Sequence, residues 1–310
     1  MRSRPKKKRT PKKKRRRKST TTKLGAKTSC WARTDLGLKR ELNEDSFLAD
    51  SNISLYIVAD GMGGHAGGNI ASKMSVDIIR KRVRAARKAG DLFSKDAIDN
   101  ESPAVLKMLE ESIKEASAKI FEKSDRQPEL AGMGTTVTLM LTHGKRAYVA
   151  HVGDSRLYRL RNGKLEQLTE DHSLVNEQVK AGFITSEEAQ HSRFRNIITR
   201  SVGFESEVTA DTMSVVMKPA DIFMICSDGL TGMVEDDEIQ KTIKKARLSQ
   251  APARLVDLAN QAGGEDNVTV VVLRYGDGEH DKRASKPRKK KQNTRNTARK
   301  RPKGGAKRKK

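Results

Sequence analysis

The positive charge of this chain is confined to its two ends, and that segregation restricts folding to the middle. Residues 1–29 carry fifteen Lys/Arg and no acid, and residues 278–310 carry sixteen Lys/Arg against Glu279 and Asp281. With these +15 and +14 segments set aside from the chain's net +25, about −4 remains for residues 30–277. A run such as Pro5-Lys6-Lys7-Lys8-Arg9 has almost no apolar surface to offset ordering entropy, and its like charges repel. Residues 1–28 and 277–310 are therefore predicted to be disordered basic tails. Residues 29–276 are predicted to form one domain, large enough for a sizeable core.

The two cysteines, Cys30 and Cys226, are too few for a disulfide framework and lack zinc spacing. Cys226 ends the apolar run Ile222-Phe223-Met224-Ile225, which predicts a buried thiol. No apolar stretch approaches a membrane span, and the basic N-terminus lacks the apolar segment of a secretory signal. A soluble, cytoplasmic protein is the expectation.

Hydrophobic patterning predicts strands at Ser29–Arg33, Ser54–Ala59, Thr135–Leu141, Arg146–Val152, Leu157–Leu160, Asp211–Met217, Ile222–Cys226 and Asn267–Arg274. Asn162-Gly163 marks a two-residue hairpin turn. Helical spacing predicts amphipathic helices over Gly67–Lys88 and Val105–Phe121, and further helices near Glu238–Ala246 and Ala251–Gln261. Strands joined by hairpins, with helices in pairs, indicate an α+β domain of mostly antiparallel sheets covered by helices.

Several acids stand where charge is costly, at the ends of apolar strands and beside glycines. Asp60-Gly61 follows Tyr56-Ile57-Val58-Ala59, Asp228-Gly229 follows the Phe223–Cys226 run, Asp154 follows Val149–Gly153, and Asp266 precedes the last strand. One Asp-Gly pair is ordinary turn chemistry. Four strand-end carboxylates need a counter-charge, and hard divalent cations supply it. Oxygen donors without a Cys/His cluster favour Mg²⁺ or Mn²⁺ over zinc.

The polar run Asp35-Leu36-Gly37-Leu38-Lys39-Arg40-Glu41-Leu42-Asn43-Glu44-Asp45 adds to this set. Together with Ala59-Asp60-Gly61-Met62-Gly63-Gly64-His65, Gly134-Thr135-Thr136, Gly153-Asp154-Ser155-Arg156, Asp171-His172-Ser173, Ile198-Thr199-Arg200, Ser227-Asp228-Gly229-Leu230 and Asp266-Asn267, it resembles the PPM family of metal-dependent type 2C protein phosphatases, in its bacterial branch. The resemblance spans about residues 29–275 and excludes the tails. Each string alone is weak; the ordered series is specific.

The resemblance implies a four-layer α/β/β/α sandwich that removes phosphate from phosphoserine and phosphothreonine, using a water activated by two Mn²⁺ or Mg²⁺ ions. By resemblance, Asp60 bridges both ions, the Gly61 carbonyl binds one, Asp228 and Asp266 complete one shell, and Asp45 acts near the other. Asp154 with Asp228 resembles a third, weaker site. Arg40 is the implied phosphate grip, since a guanidinium holds two oxygens at once and an ammonium does not. Where eukaryotic members carry a histidine after Asp-Gly this chain has Met62, so His65 is the nearest candidate acid, with a structural role near the helix start left open. Gly232 stands where some members place a further aspartate. His151, on an apolar strand, reads as a satisfied core histidine. His172 stands beside a helix-capping pattern. Residues 182–196, with Arg193 and Arg195, match the family's flap and read on their own as a mobile loop.

Phosphoprotein substrates and an opposing Ser/Thr kinase are the implied partners. The tails predict counterion-release binding to nucleic acid or another polyanion, without base stacking because they lack aromatics. Pro-Lys-Lys-Lys-Arg also resembles a nuclear import signal, which the bacterial-type core counts against. Two alternatives remain at this stage: a catalytically silent binding module on the same fold, and a metal-dependent nuclease.

Overall fold

The computed structural model describes residues 28–63, 67–93 and 100–276. Two five-stranded sheets form the centre. The first runs β1 (Thr28–Asp35), β12 (Val268–Tyr275), β11 (Ile222–Cys226), β8 (Arg156–Arg161), β9 (Lys164–Gln167). The second runs β10 (Asp211–Val216), β7 (Arg146–Val152), β6 (Val137–His143), β3 (Leu55–Ala59), β2 (Ser46–Asp50). Every neighbouring pair in both sheets is antiparallel. A two-residue bridge joins β4 (Gly61–Met62) to β5 (Gly134–Thr135).

Strand periodicity builds the layers. In β3, Leu55, Ile57 and Ala59 face α1 (Gly67–Ala89) and α2 (Pro103–Arg126), while Tyr56 and Val58 face the other sheet. In β12, Val268, Val270 and Val272 pack under α6 (Asp236–Lys245) and α7 (Ala251–Gln261), while Val271 and Leu273 meet the second sheet. Strands buried on both faces read as continuous apolar runs rather than alternating ones. Each such aliphatic side chain contributes ~1.5–3 kcal/mol of burial. Three apolar clusters separated by two sheets make the α/β/β/α sandwich that the resemblance implies.

Most sequence expectations coincide with observed elements within a few residues. Asn162 (φ 52°) and Gly163 (φ 80°) form the β8–β9 turn, with Arg161 opposite Lys164; two successive positive φ angles are what a type I′ hairpin requires. Cys226 is fully buried, and burial pushes its thiol up to about 12. The stretch read as a loop departs from expectation: it contains α4 (Ser186–His191), preceded by α3 (Leu174–Lys180). Thr185 and Glu188 cap α4 reciprocally, a signal present in the sequence as Thr-x-x-Glu. The tails and His65 lie outside the described residues.

β1 pairs with β12 along its whole length, Thr28 opposite Tyr275 and Asp35 opposite Val268. This register gives the sandwich two distinct ends. At one, Asp45 on the second sheet accepts hydrogen bonds from Ser227 and Thr269 on the first. At the other, Tyr275 Oη donates to the Gly144 carbonyl at 3.0 Å.

Candidate active site

The first of these ends gathers the predicted acids. Asp60 leaves β3, Asp45 enters β2, Asp154 leaves β7, Asp266 precedes β12, and Asp228 opens α5 (Asp228–Thr231) just after β11. Because β2 and β3 are antiparallel with Ser46 opposite Ala59, the entry to one strand and the exit of the other fall side by side. The same logic sets Cys226 opposite both Val270 and Arg156, so the flanking Asp228, Asp266 and Asp154 share one rim.

The electrostatics confirm the crowding. Burial, then the charges of Asp45, Asp228 and Asp154, hold the Asp60 carboxyl well above the usual carboxylate range. Burial, then Asp228 and Asp171, do the same to Asp154. Asp228 is raised by burial and by Asp266, and shares a hydrogen bond with Asp60. Burial lifts Asp45 to about 7, although Thr269 Oγ1 (2.6 Å) and Ser227 Oγ (2.9 Å) donate to its Oδ2 and oppose the rise. A carboxylate surrounded by carboxylates binds protons or cations to relieve repulsion.

Buried side-chain oxygens of Asp45, Asp154 and Asp228, one on each residue, have no hydrogen-bond partner. Such orphans are expensive, so an all-oxygen set of this kind fits a hard divalent cation. Among the described residues, no three His, Cys, Asp or Glu side chains stand in direct chelating arrangement. At the same rim Arg40 Nη2 donates to Asp266 Oδ2 at 2.7 Å and holds that carboxylate in an ion pair. Desolvation works against the guanidinium charge, but Asp266, Glu44 and Asp60 hold it protonated.

The backbone around the acids is fixed by residues the motif strings contain but do not explain. Asn267 accepts the Glu44 amide at 2.8 Å and donates to the Leu36 and Leu42 carbonyls, bracing the Arg40 loop. Asp35 ties that loop to α7 through Asn260. Glu44 sits at the start of α1, where the Gly68 and Asn69 amides donate to it, a favourable place for a carboxylate. Gly61 must be glycine: a Cβ there would lie 2.1 Å from the Gly68 carbonyl oxygen.

The two histidines are structural. His151 is buried, bonds Thr138 Oγ1 and the Glu170 carbonyl, and burial pushes it down to about 3. His172 Nδ1 accepts the Gly153 amide at 3.0 Å, so its proton is on Nε2, which donates to Asp211. It thereby steadies the turn just before Asp154. Ser173 caps α3, as the sequence pattern indicates. Arg156 clasps Asp171 with two nitrogens, at 3.0 and 2.7 Å. A cavity of about 750 Å³ opens beside Asp154 and Asp228, walled by Asn176, His191 and Arg195 on the α3–α4 side and by Gly232 and Glu235 on the other.

With this geometry in view, the known relatives are informative. The family model described as protein phosphatase 2C matches residues 39–265. The serine/threonine phosphatase stp of Listeria monocytogenes serotype 4b is 38% identical over 245 residues, covering 78% of this chain and 93% of the relative. The crystal structure of the PstP catalytic domain, a serine/threonine protein phosphatase in complex with two manganese ions, superposes with a TM-score of 0.69 at 34% identity, covering 81% of this chain and 99% of that one. Stp1 from Staphylococcus aureus superposes with a TM-score of 0.72 at 33% identity, covering 82% and 97%. The chain belongs to the protein phosphatase 2C family.

Proposed function

We propose that this chain is a metal-dependent protein phosphatase that hydrolyses phosphoserine and phosphothreonine esters on proteins, opposing a Ser/Thr kinase in the cytoplasm, with residues 29–276 as its catalytic domain. The observation that carries the reading is the convergence of Asp45, Asp60, Asp154 and Asp228 from four separate loops, largely withdrawn from water and with no arginine or lysine hydrogen-bonded to any of them among the described residues. Family membership, and manganese in the PstP structure, support the same reading.

Asp60, the Gly61 carbonyl, Asp228 and Asp266 are the groups that would hold two Mn²⁺ or Mg²⁺ ions, with Asp45 behind them. Asp154 and Asp228 would hold a third more weakly. Bound there, such ions supply Lewis-acid stabilisation and lower the pKa of water for attack on phosphorus. Ser227 and Thr269 fix Asp45 through Oδ2 and leave its buried Oδ1 without a hydrogen-bond partner. Arg40 grips two phosphate oxygens, exchanging its Asp266 partner for the substrate. His65 remains the candidate proton donor to the leaving alkoxide. The tails bind polyanions through phosphate contacts alone.

The test is hydrolysis of a phosphothreonine peptide by the full-length chain. Mn²⁺ should support turnover, a chelator should abolish it, and Asp60→Asn should be inactive yet folded. Cleavage of DNA in place of the peptide would assign the site to a nuclease. Failure on both with any divalent metal would leave a silent binding module.

A further inference from the structure

The loop between β1 and β2 carries Arg40 at the catalytic end, and its backbone is held at many points. Asn267 Nδ2 donates to the carbonyls of both Leu36 (2.9 Å) and Leu42 (3.1 Å), so the two sides of the loop close on one amide. The Leu38 amide donates to the Gly264 carbonyl at 2.7 Å. Asp35 Oδ1 accepts from the Gly37 amide and from Asn260 Nδ2, while Asn43 donates to Thr34 Oγ1 and accepts the Asp45 amide. Gly37 has φ +79°, and a Cβ on it would lie 2.3 Å from the Asp266 carbonyl oxygen, so the loop is pressed against the segment that bears Asp266.

A loop anchored this firmly has the means to fold its apolar side chains inward, and this one does not. Leu38 is 66% exposed, and Leu36 and Leu42 are exposed as well. None of the three belongs to the apolar clusters that pack the sheets. A single exposed leucine is ordinary; three on one anchored loop form a patch that a partner can cover. The apolar surface extends past the loop. A Cβ on Gly264 would lie 2.7 Å from Leu38 Cγ, and one on Gly263 would lie 3.8 Å from Met233 Sδ, so only this glycine turn separates Leu38 from Met233. Met233 is half-buried and follows Gly232 in the wall of the cavity beside Asp228. The charged neighbours Lys39, Glu41 and Glu265 are all exposed and of both signs, so the patch selects apolar matter rather than charge.

We infer that Leu36, Leu38 and Leu42 form a specificity cradle for the phosphoprotein substrate: they take the apolar side chains that flank the phosphorylated serine or threonine, while Arg40 in their midst holds the phosphate. The inference rests on the phosphatase reading, with Arg40 as phosphate grip, and names the sequence class that the site prefers. Position selects the occupant. Leu38 and Leu42 each stand two residues from Arg40, one on either side. In an extended peptide the side chains of one face recur about every 7 Å, so a phosphate held by Arg40 brings the neighbouring substrate residues over these leucines. Because the loop is anchored before the peptide arrives, little ordering entropy is lost on contact. Apolar flanks gain burial here that polar flanks do not.

The experiment uses the full-length chain with Mn²⁺ and two phosphothreonine peptides of equal length and charge. One has leucine at the two positions on each side of the phosphothreonine, and the other has serine there. The leucine peptide should show a kcat/KM about tenfold or more above the serine peptide, mostly through a lower KM. The double variant Leu38→Ser, Leu42→Ser should reduce that preference to about twofold or less by raising KM for the leucine peptide. Leu38→Met, Leu42→Met should restore it, because thioether chains of similar volume rebuild the apolar surface. Circular dichroism and a melting curve confirm that each variant is folded, and the comparison of the two peptides on the unaltered chain needs no variant at all.

Equal kcat/KM for the two peptides overturns the cradle and leaves the phosphatase reading intact. A preference that survives the serine double variant belongs to another surface and overturns the role of these leucines. Hydrolysis of neither peptide overturns the cradle together with the reading on which it rests. Sedimentation of the unaltered chain as a dimer that the serine variant dissolves would assign the leucines to a second copy of this chain and overturn the substrate role.

Discussion

Both ends of the sandwich take aspartates out of water, and they treat them in opposite ways. At the end away from the site, Asp221 is 2% exposed and receives Arg161 through two nitrogens, at 2.8 and 2.6 Å. Asp50 is 8% exposed and meets Arg84 at 3.0 Å and Arg80 at 3.4 Å. At the catalytic end Asp45 and Asp154 are equally withdrawn, at 8% and 7%, yet each keeps an oxygen without any partner. The chain thus has arginines that clasp buried acids, yet among the described residues none is hydrogen-bonded to Asp45, Asp60, Asp154 or Asp228, although Arg40 and Arg156 stand near enough to act on Asp60, Asp154 and Asp228 through their charge. A buried acid clasped by arginine is neutralised within the fold, whereas the proposed metal site leaves its buried acids unclasped, as binding of an exchangeable cation would require.

The contrast can be broken most sharply at Asp60. Asp60→Asn should lower kcat/KM on a phosphothreonine peptide by about 10³-fold or more, ~4 kcal/mol of transition-state stabilisation. In the presence of chelator it should raise the melting temperature, because it removes one repelling charge. Asp221→Ala should do the reverse. It should cost about 3 kcal/mol in a denaturant titration, by stranding Arg161, while the folded enzyme turns over normally.

A pH titration of stability sharpens the same point. Asp45, Asp60, Asp154 and Asp228 have folded-state values above those of the unfolded chain. Their contribution to stability is therefore present at acid pH and lost as pH rises through the raised folded-state values; for Asp45 that loss falls at about pH 7. With chelator the domain should lose ~2 kcal/mol between about pH 5 and about pH 8, and saturating Mn²⁺ should flatten the profile. Asp50, whose value is lowered, contributes the opposite slope at more acid pH. The smallest effect is expected of Thr269→Val, which removes one donor to Asp45: about 1 kcal/mol in stability, with a weakened Mn²⁺ response in turnover.

How much of this was legible in the sequence depended on whether the signal was local. Asp60 and Asp228 could be read because each closely follows a run of apolar residues and precedes a glycine, and the buried strands behind them read as continuous apolar runs. The turn at Asn162-Gly163 is equally local. The partners of Asp45 were not legible: Ser227 and Thr269 lie 182 and 224 residues away and look like any small polar residue. The arginine clasp of Asp221 was hidden for the same reason, with Arg161 sixty residues upstream. β2 escaped because its residues are half-buried and follow a polar loop, which blurs the alternation. The pairing of Arg40 with Asp266 was also invisible, since both residues belong to motifs read for other roles.

The full-length pairing of β1 with β12 has a consequence for synthesis. β12 lies between β1 and β11, so the first sheet has no centre until the last strand of the domain exists. A ribosome adding roughly 5–20 residues per second leaves β1 without its partner for ~10–50 s. During that interval Cys30 and Trp31 stand on an open strand edge that invites pairing with other chains. The solubility of the nascent protein therefore rests on how that edge is shielded before Val268 emerges, and the polycation immediately upstream of it, by keeping like chains apart, is placed to do so.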